Sequence, residues 1–474
     1  MVADILEYGA IEGNDEKNAK ANAKALQAAV DKVSVAGGGR INIPSGVFFC
    51  GSILLKSGTE LHLERGAMLA CSLNPEDIMP FPDDKDTEGI DEVDGFNGGF
   101  FLGALHAENI SVTGEGIIYG QGDKVFIEPD ADGGVYECPK QTTEFRPRLM
   151  LFEDVKGLEI KNVTLKDAAF WTLHMAGCEN VRVTDINIEN DDRGVNNDGI
   201  DPDCCKNVMI RGCRVFTADD AIVLKSTRPM AEKYGDCRDI TISDCILHSH
   251  CSALKIGTES YGTIKNVVMG NCIVQDCTRA VGIWMRDGGS IENVLVHHIT
   301  GSVRRYAGAY ELPGKPGWWG MGEPLFISAV RRKYKTGADN PFNSGEFWKN
   351  IKEENGLASS DSGIGKIKDI SFDHIDMECE SCCFFAGEEM GDIGNISLNQ
   401  VHITFKKNGT QPGGFFDEQP SVRGVYEHEI PALYARGVKK LNINGFYVDD
   451  ADGKTAWNGK EFFVEDALPK AKAE

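Results

Sequence analysis

The stretch NVRVTDI at residues 180–186 decides the fold, because the chain repeats its pattern. The pattern is Asn or Asp, then apolar residues at the second, fourth and seventh positions, and it begins at Asn180, Asn207, Asp239, Asn266, Asn293, Asp369 and Asn395, with a degenerate copy at Gly157. Successive starts lie 27, 32, 27, 27, 76 and 26 residues apart. Alternating apolar residues inside a repeat of this length are typical of a solenoid, in which neighbouring turns bury each other's apolar side chains. We therefore predict an all-β fold, a single-stranded right-handed parallel β-helix that forms one domain over residues 1–474.

The seventh position of the repeat forms a single apolar column: Val163, Ile186, Cys213, Cys245, Cys272, Ile299, Ile375 and Val401. Cysteine replaces isoleucine or valine at three of these positions, so we interpret these thiols as small buried hydrophobes. The CxxC pair Cys379 and Cys382 has no second pair at the spacing of a zinc site. We predict neither a metal nor a cofactor.

Two further features are predicted to flank the solenoid. Residues 17–36 carry apolar residues at helical spacing before the glycines at 37–39, which indicates a capping helix that protects the first strand edge. The repeat is interrupted at 80–146 and 300–368, where we predict loop insertions beside a cleft. Trp318 and Trp319 in the second insertion either stack on a sugar or anchor the loop, and the sequence leaves both interpretations open.

Charge and composition limit the partners. The chain has 49 basic and 73 acidic residues, a formal net charge of −24, which argues against nucleic acid and anionic membranes. The start of the chain has no basic segment followed by an apolar one, as a signal peptide would, and fifteen cysteines fit a reducing compartment. We predict a cytoplasmic location, although a secreted chain trimmed of its signal would look the same; the oligomeric state stays open.

Two acidic turns carry the candidate chemistry, NNDGID at 196–201 and ADDAI at 218–222. Hydrolysis of a glycosidic bond requires one carboxyl group to protonate the leaving oxygen and another to activate water. An isolated Asn/Asp turn usually serves local hydrogen bonding. The repeat, however, predicts that these two turns lie on neighbouring rungs, which would bring their carboxyl groups together.

At this point the chain resembles the polygalacturonase family of glycoside hydrolases, family 28, which degrades pectin and has a right-handed parallel β-helix fold. The resemblance covers nearly the whole chain, and its most specific part is the pair of acidic turns. Further matching segments are Tyr8-Gly9-Ala10, Gly37-Gly38-Gly39-Arg40, Gly120-Gln121-Gly122, Arg146-Pro147-Arg148, Phe170-Trp171-Thr172-Leu173-His174 and Pro431-Ala432-Leu433-Tyr434-Ala435-Arg436.

The resemblance implies roles for the acids. Asp219 corresponds to the general acid, Asp198 and Asp220 to the pair that activates water, and Asp201 to a residue that orients its neighbours. Enzymes of this family invert the anomeric centre in a single displacement. Crowded carboxyl groups raise the pKa of at least one of them, which would keep a proton available near neutral pH.

Two departures from the family pattern affect substrate binding. The family's Gly-His-Gly is missing: Ser252 stands where the histidine belongs, and His250, two residues away, either reaches the cleft or lies in a surface loop. The family's Arg-Ile-Lys, which grips the substrate carboxylate, is also absent from the corresponding residues 279–287. The predicted substrate-binding residues are therefore Asn196, Asp201, Lys225, His250, Ser252, Lys255, Glu259, Trp284 and Arg286.

Three hypotheses follow. In the first, the protein is an inverting, exo-acting hydrolase that removes a terminal sugar, galacturonic acid or a related one, from pectin-derived oligosaccharides, with Lys225, Lys255 or Arg286 as the carboxylate contact and loops closing one end of the cleft. In the second, the same mechanism acts on a neutral or differently linked plant oligosaccharide, including rhamnogalacturonan types, and Trp284 stacks on the sugar. In the third, the solenoid binds carbohydrate without catalysis. Pectate-lyase-like elimination is disfavoured, because it would use calcium-binding carboxylates and a basic residue.

Overall fold

The computed structural model describes residues 1–81, 99–128, 137–143, 145–306, 317–331, 363–421, 423–452 and 462–465. The parts of the predicted insertions at 82–98, 129–136, 144, 307–316 and 332–362 lie outside these residues. Most strands pair in parallel with the strand one turn earlier and the strand one turn later, and we call one such turn a rung. The predicted parallel β-helix is confirmed.

The parallel strands line up in three sheets. Sheet 1 contains Ile53–Leu54, Phe170–Ala176, Ile200–Asp203, Ile222–Ser226, Ser252–Ser260, Arg279–Met285, Glu323–Ala329, Cys383–Gly387, Leu433–Arg436 and Phe462–Glu465. Sheet 2 contains Val2–Asp4, Gly39–Ile43, Thr59–Leu63, Glu179–Thr184, Lys206–Arg211 and Cys237–Ser243. Sheet 3 contains Gly46–Cys50, Ala67–Cys71, Ile117–Tyr119, Thr164–Lys166, Asn187–Glu189, Arg214–Phe216 and Ile246–His248.

Longer strands run from one sheet into the next. Sheets 1 and 2 share Phe100–Gly114 and Arg148–Lys161, and sheets 2 and 3 share Thr263–Cys277, Ser290–Val303, Lys366–Cys379, Ile393–Phe405 and Val438–Asp450. Two antiparallel pairs lie outside the solenoid, Phe126–Ile127 with Gln141–Thr142 and Phe415–Asp417 with Val425–Glu427. The helices are α1 (Ala19–Val35), α2 (Gly122–Val125) and α3 (Arg228–Tyr234), with 3₁₀ turns at Ile5–Tyr8, Glu16–Asn18 and Pro75–Asp77. None of the helices in the described residues has the length and apolar character needed to span a membrane.

The repeat motif places its Asn or Asp at a corner of the solenoid. Six of the seven repeat starts adopt a left-handed backbone with φ between 54° and 61°, which asparagine and aspartate tolerate better than most residues. Their side chains also bond from rung to rung: the Asn266 Nδ2 donates to Asp239 Oδ1 at 2.8 Å, and the Asn293 Nδ2 to Asn266 Oδ1 at 2.9 Å. The first position of the motif is therefore explained by this exposed ladder, which sets the turn at each rung.

The apolar positions of the motif form the solenoid interior. Every residue of the predicted seventh-position column is at most 1% exposed, the three cysteines included. All fifteen cysteines lie within the described residues, and all are free thiols. The interpretation of the column cysteines as buried hydrophobes is confirmed.

Helix α1 packs against the first rungs. Its buried face, which includes Leu26, Val30 and Val33, belongs to the same apolar cluster as the sheet 2 residues Ile41 and Leu61. The helix thus covers apolar side chains at the start of the solenoid, where the strand edge would otherwise be open. The helix expected over 17–36 is present with slightly shorter bounds.

The predicted insertions need correction, because each contains a rung of the solenoid. Strands Phe100–Gly114 and Ile117–Tyr119 lie within 80–146, and strand Glu323–Ala329 lies within 300–368, all in parallel pairing with neighbouring rungs. The copy that begins at Asn109 has Glu115 at its seventh position, so it does not match the motif. Glu323–Ala329 belongs to sheet 1, whereas the motif marks strands of sheet 2 and the corner that precedes them.

Candidate active site

The two acidic turns lie on adjacent rungs at the entrance to two strands of sheet 1. Asp198 precedes strand Ile200–Asp203, and Asp220 precedes strand Ile222–Ser226. Backbone bonds hold the turns in register, since the Gly199 N–H donates to the Asp220 carbonyl at 2.9 Å. The prediction that the repeat brings these turns together is confirmed by this contact.

Asn197 fixes the turn that carries Asp219. Its buried Oδ1 accepts hydrogen bonds from the Thr217 hydroxyl at 2.8 Å and from the Ala218 and Asp219 N–H groups, both at 3.1 Å. A side-chain amide that satisfies three donors on the next rung holds that rung's backbone in one conformation. Asn197 was not among the predicted site residues, although it lies between two of them, Asn196 and Asp198, in the sequence.

Asp219 is held by backbone donors. Its Oδ2 accepts from the Asn196 N–H at 3.1 Å, and its Oδ1 from the Asp220 N–H at 2.9 Å. The Asn196 side chain, in turn, accepts from Arg146 Nη2 at 3.1 Å. Burial raises the pKa of the Asp219 carboxyl, and the neighbouring charge of Asp220 raises it further. These factors favour a protonated Asp219, as a general acid requires.

Lys225 joins the acids of the first turn. Its Nζ lies 3.0 Å from Asp198 Oδ2, 3.6 Å from Asp201 Oδ1 and 3.8 Å from Glu259 Oε2. Burial raises the pKa of Asp198 to about 7 against the opposing charge of Lys225, and burial together with Asp198 raises that of Asp201 well above its usual value. Burial opposes the charge on Lys225, but the surrounding carboxylates outweigh it and raise its pKa.

Lys255 pairs with the remaining acid. Its Nζ lies 2.5 Å from Asp220 Oδ2 and 4.9 Å from the centre of the Trp284 ring. The Ser252 N–H donates to Asp220 Oδ1 at 3.3 Å, so Ser252 supports this acid through its backbone. Of the predicted substrate-binding residues, Asn196, Asp201, Lys225, Ser252, Lys255 and Glu259 therefore lie around the three candidate acids, Asp198, Asp219 and Asp220.

The arrangement suits acid–base chemistry. Carboxyl groups with raised pKa values can exchange protons near neutral pH, and the two lysines stabilise the ionised partners that a water-activating base requires. Among the described residues, one group offers ligand atoms close enough for a metal ion: the carboxylates of Asp219 and Asp220 and the thiol of Cys251, all within 4.8 Å. Burial raises the pKa of the Cys251 thiol, which disfavours the thiolate that a metal would need. The position of Cys251 beside the acids was missed by the sequence analysis.

Arg286 and Trp284 are placed differently from the prediction. Arg286 is fully buried, and its guanidinium donates to the carbonyls of Glu418 at 3.0 Å and Pro420 at 2.8 Å. The Trp284 Nε1 donates to the Gln419 carbonyl at 3.2 Å, and the ring packs in an apolar cluster. Both side chains hold the segment 418–420 against the outer face of sheet 1, so in this structure they are not available to stack on or grip a sugar.

His250 is also placed differently, since it lies neither at the surface nor against the acids. Its ring stacks on Tyr306 with 3.9 Å between centroids and meets the edge of Trp318 at 5.3 Å. Burial lowers the pKa of His250 well below its usual value. The Trp318 Nε1 donates to the Glu137 carbonyl at 2.6 Å, so of the two interpretations of this tryptophan, anchoring of a loop fits the structure.

The hairpin of strands Phe415–Asp417 and Val425–Glu427 covers sheet 1 on the C-terminal side of the acids. Besides the contacts of Trp284 and Arg286, Arg279 Nη2 donates to the Asp417 carbonyl at 2.9 Å, and Arg436 Nη2 to Glu418 Oε1 at 2.9 Å. Four consecutive residues of the hairpin loop, 417–420, thus have their carbonyls bonded by side chains of sheet 1. The hairpin ends the exposed groove on this side.

The N-terminal side of the acids is covered as well. Phe81 and Met230, the latter on α3, form an apolar cluster with the sheet 1 residues Leu151 and Ala176. Phe81 also contacts His174 edge to face, with 6.5 Å between ring centroids. The acids therefore lie between two covered stretches of sheet 1, and we call the space between these stretches the cleft.

Comparison with known proteins shows which family this chain resembles in sequence. Residues 36–307 match the sequence profile of the glycosyl hydrolases family 28. A Vitis vinifera protein named "Probable polygalacturonase" is 28% identical over 228 residues, which are 47% of this chain and 44% of that protein. The chain spans about half the length of the curated relatives it matches.

Solved structures of the same architecture support the fold. An exopolygalacturonase from Thermotoga maritima superposes with a TM-score of 0.61 and 19% identity over 95% of this chain and 92% of its own. A family 28 exopolygalacturonase from Yersinia enterocolitica gives a TM-score of 0.66 and 15% identity over 98% and 77%. Since the family profile matches more than half of the chain, acidic turns included, the chain belongs to family 28 of the glycosyl hydrolases.

Proposed function

We propose that this protein is an inverting, exo-acting glycoside hydrolase that releases a terminal sugar, galacturonic acid or a related one, from pectin-derived oligosaccharides. The observation that carries the proposal is the meeting of Asp198, Asp219 and Asp220 on two hydrogen-bonded rungs. Asp219 protonates the leaving oxygen, while Asp198 and Asp220, each paired with a lysine, activate the attacking water.

Exo action is supported by the covered ends of the cleft. A polymer chain that is cut internally must extend past the acids in both directions along the groove. Here the hairpin at 415–427 covers the C-terminal side, and Phe81 with α3 covers the N-terminal side. A cleft of limited length favours a substrate that enters by one end.

The test is a product assay of the purified protein on saturated oligogalacturonides and on neutral plant oligosaccharides of matched length. The proposal expects monosaccharide as the only early product from the oligogalacturonides. Internal fragments at early times would refute exo action. Turnover of neutral substrates alone would refute the assigned sugar while leaving the acid assignment intact.

A second candidate substrate is a neutral or differently linked oligosaccharide. One observation favours it: the carboxyl groups of Asp198, Asp201, Asp219, Asp220 and Glu259 outnumber the two lysines paired with them, and Arg286 is used to hold the hairpin. An excess of acid disfavours a uronate unless other cations contribute. The product assay above separates the two candidates.

We also propose that the protein works in a reducing compartment such as the cytoplasm. The support is the set of fifteen free thiols, several of them stacked in the solenoid interior. An oxidising compartment favours disulfides in a cysteine-rich chain. Mass spectrometry of alkylated protein taken from cells would test this, because the proposal expects every thiol to be reduced.

A further inference from the structure

A group of buried side chains lies on the N-terminal side of the acids. Arg148, Trp171 and His174 have no role in the mechanism above, and the fourth member, Lys225, also pairs with Asp198. On sheet 1, His174 lies directly beside Asp201 in the parallel register. Its ring meets the edge of Trp171, with 4.9 Å between centroids. These residues therefore extend from the acids towards Phe81, beneath the stretch of sheet 1 that Phe81 covers.

His174 has unused hydrogen-bonding capacity. The side chain is 3% exposed, and neither ring nitrogen has a hydrogen-bond partner among the described residues. The nearest carboxylate oxygen, Asp203 Oδ2, lies 3.7 Å from Nε2 and already accepts from the Thr227 hydroxyl at 2.6 Å. Burial lowers the pKa of His174 to about 4, so at neutral pH the ring offers one donor and one acceptor.

The acids nearest to His174 show the same feature. Both carboxyl oxygens of Asp201 and the Oδ1 of Asp198 are buried, and no hydrogen-bond partner for them lies in the described part of the chain. Buried polar atoms are costly when they stay unpaired, and proteins keep them mainly where a ligand or ordered water completes them. Three side chains of this kind on neighbouring rungs indicate a site built for a polar ligand.

Two cations give this site its charge. The Lys225 Nζ lies 4.4 Å and the Arg148 guanidinium carbon 5.3 Å from the centre of the Trp171 ring. Arg148 also lies over Phe81 at 5.3 Å and Phe170 at 5.5 Å, so three aromatic rings fix its position. The acidic groups that face the cations are Asp198, Asp201, Asp203 and Glu259; of these, burial raises the pKa of Asp198 and Asp201, and Thr227 donates two hydrogen bonds to Asp203.

We propose that Arg148, His174 and Lys225 bind the carboxylate of a uronic acid unit on the N-terminal side of the catalytic acids. This proposal rests on the proposed function and assigns the carboxylate contact that the missing Arg-Ile-Lys leaves open. A guanidinium and an ammonium in a buried site favour a carboxylate over a neutral hydroxymethyl group. His174 donates to the same sugar, and Trp171 forms the apolar wall beneath the cations.

Binding can be measured separately from turnover. The measurement uses the variant Asp219→Asn, which lacks the general acid, as the background. The affinities of trigalacturonate and of its neutral counterpart α-1,4-galactotriose are compared by isothermal titration calorimetry. We expect the uronate to bind more tightly by about tenfold or more, the effect of at least one charge-assisted hydrogen bond. Equal affinity for the two sugars would overturn the proposal, and no further variant would then have to be measured.

Variants locate the contact. On the same background, Arg148→Lys should reduce the preference for the uronate by about tenfold, because lysine keeps the charge but not the fork of donors. His174→Gln, which keeps a donor and an acceptor, should lose less affinity than His174→Leu. The matched control is Arg305→Lys, at another buried arginine that lies over an aromatic ring, Phe415, and it should keep the preference.

The outcomes are distinct. Folded variants, checked by circular dichroism and thermal melting, that keep the full preference would overturn the proposal. The proposal would also be overturned if the loss of affinity follows the fall in melting temperature instead of being smaller for His174→Gln than for His174→Leu. Such a result would indicate that His174 has a structural role alone. If trigalacturonate binds selectively but wild-type protein hydrolyses neither sugar, the proposed function fails while the carboxylate site stands.

Discussion

Four aspartates and two lysines define the site at the scale of single residues. Lys225 forms ion pairs with Asp198 and Asp201, and Lys255 forms an ion pair with Asp220. Among the described residues, Asp219 forms no ion pair of this kind, and its carboxyl oxygens accept from backbone N–H groups. Burial and the neighbouring charge of Asp220 raise the pKa of Asp219, which favours the protonated acid that single-displacement hydrolysis requires, whereas the two lysines place a positive charge beside Asp198 and Asp220.

The acid assignment predicts the effect of Asp219→Asn. The amide keeps the size of the side chain but cannot give a proton to the leaving oxygen, so we expect kcat to fall about 10²–10⁴-fold. Melting temperature and sugar affinity should change little. The control Asp239→Asn, at the exposed corner ladder, should leave kcat unchanged. If Asp219→Asn keeps most of its activity, another group is the acid.

The pairing of Lys225 with Asp198 predicts a shift in the pH profile. Asp198 has to be ionised to activate water, and its pKa is raised to about 7 by burial even though Lys225 lowers it. In Lys225→Met the pKa should rise further, so the rising limb of kcat/KM should move to higher pH and the rate at pH 6 should fall. Lys265→Met, whose partner is Asp236 outside the cleft, serves as the control. A limb that stays in place or moves to lower pH would contradict the pairing.

The sequence predicted the three acids, but it did not predict which contacts the side chains of the other predicted site residues make. Asp198, Asp219 and Asp220 were found because they lie in two acidic turns that the repeat places on neighbouring rungs and that resemble the signatures of the family. Trp284 and Arg286 were misjudged because aromatic and cationic side chains at the correct register can equally contact a sugar or a neighbouring segment, and the segment that covers them is more than 130 positions away. Cys251 and His174 were not assigned roles, since each depends on side-chain contacts between rungs rather than on a motif.

At the scale of elements, the corner ladder explains the first position of the repeat and predicts its sensitivity. Asn266 has φ 57° and bonds to both neighbouring rungs. Asn266→Gly loses the side-chain bonds but tolerates this backbone, whereas Asn266→Ala loses the bonds and strains the backbone. We expect the alanine variant to be less stable than the glycine variant by about 1 kcal/mol in urea unfolding. Equal stability would mean that the left-handed corner is not costly.

The hairpin at 415–427 is the element that limits the cleft on its C-terminal side. Arg286→Met removes the donors to the carbonyls of Glu418 and Pro420 and should loosen this hairpin. We expect internal fragments to appear among the early products, with a lower melting temperature. Arg331→Met, at an exposed arginine paired with Glu388, should keep the wild-type products. If the hairpin is loosened in Arg286→Met and the variant still releases only monosaccharide, the hairpin does not determine exo action.

For the whole molecule, the repeat was sufficient to predict the architecture. Each rung buries its apolar positions against its neighbours, so the periodic pattern in the sequence maps directly onto the strands of sheet 2 and their corner. Sheet 1 was harder to predict, because its outer face contains the site and its strands, such as Glu323–Ala329, carry no recurring asparagine. The strand Glu323–Ala329 was missed for this reason, whereas the rung that contains Phe100–Gly114 was missed because Glu115 breaks the motif that begins at Asn109.

The most direct test of the central claim is the anomer of the first product. Trigalacturonate would be mixed with wild-type protein and followed by proton NMR within the first minutes, before mutarotation mixes the anomers. Our account predicts free galacturonic acid that first appears with the anomeric configuration opposite to that of the cleaved bond, and Asp219→Asn should give no such signal. Release with retained configuration, or no cleavage of any pectin-derived oligosaccharide, would contradict it.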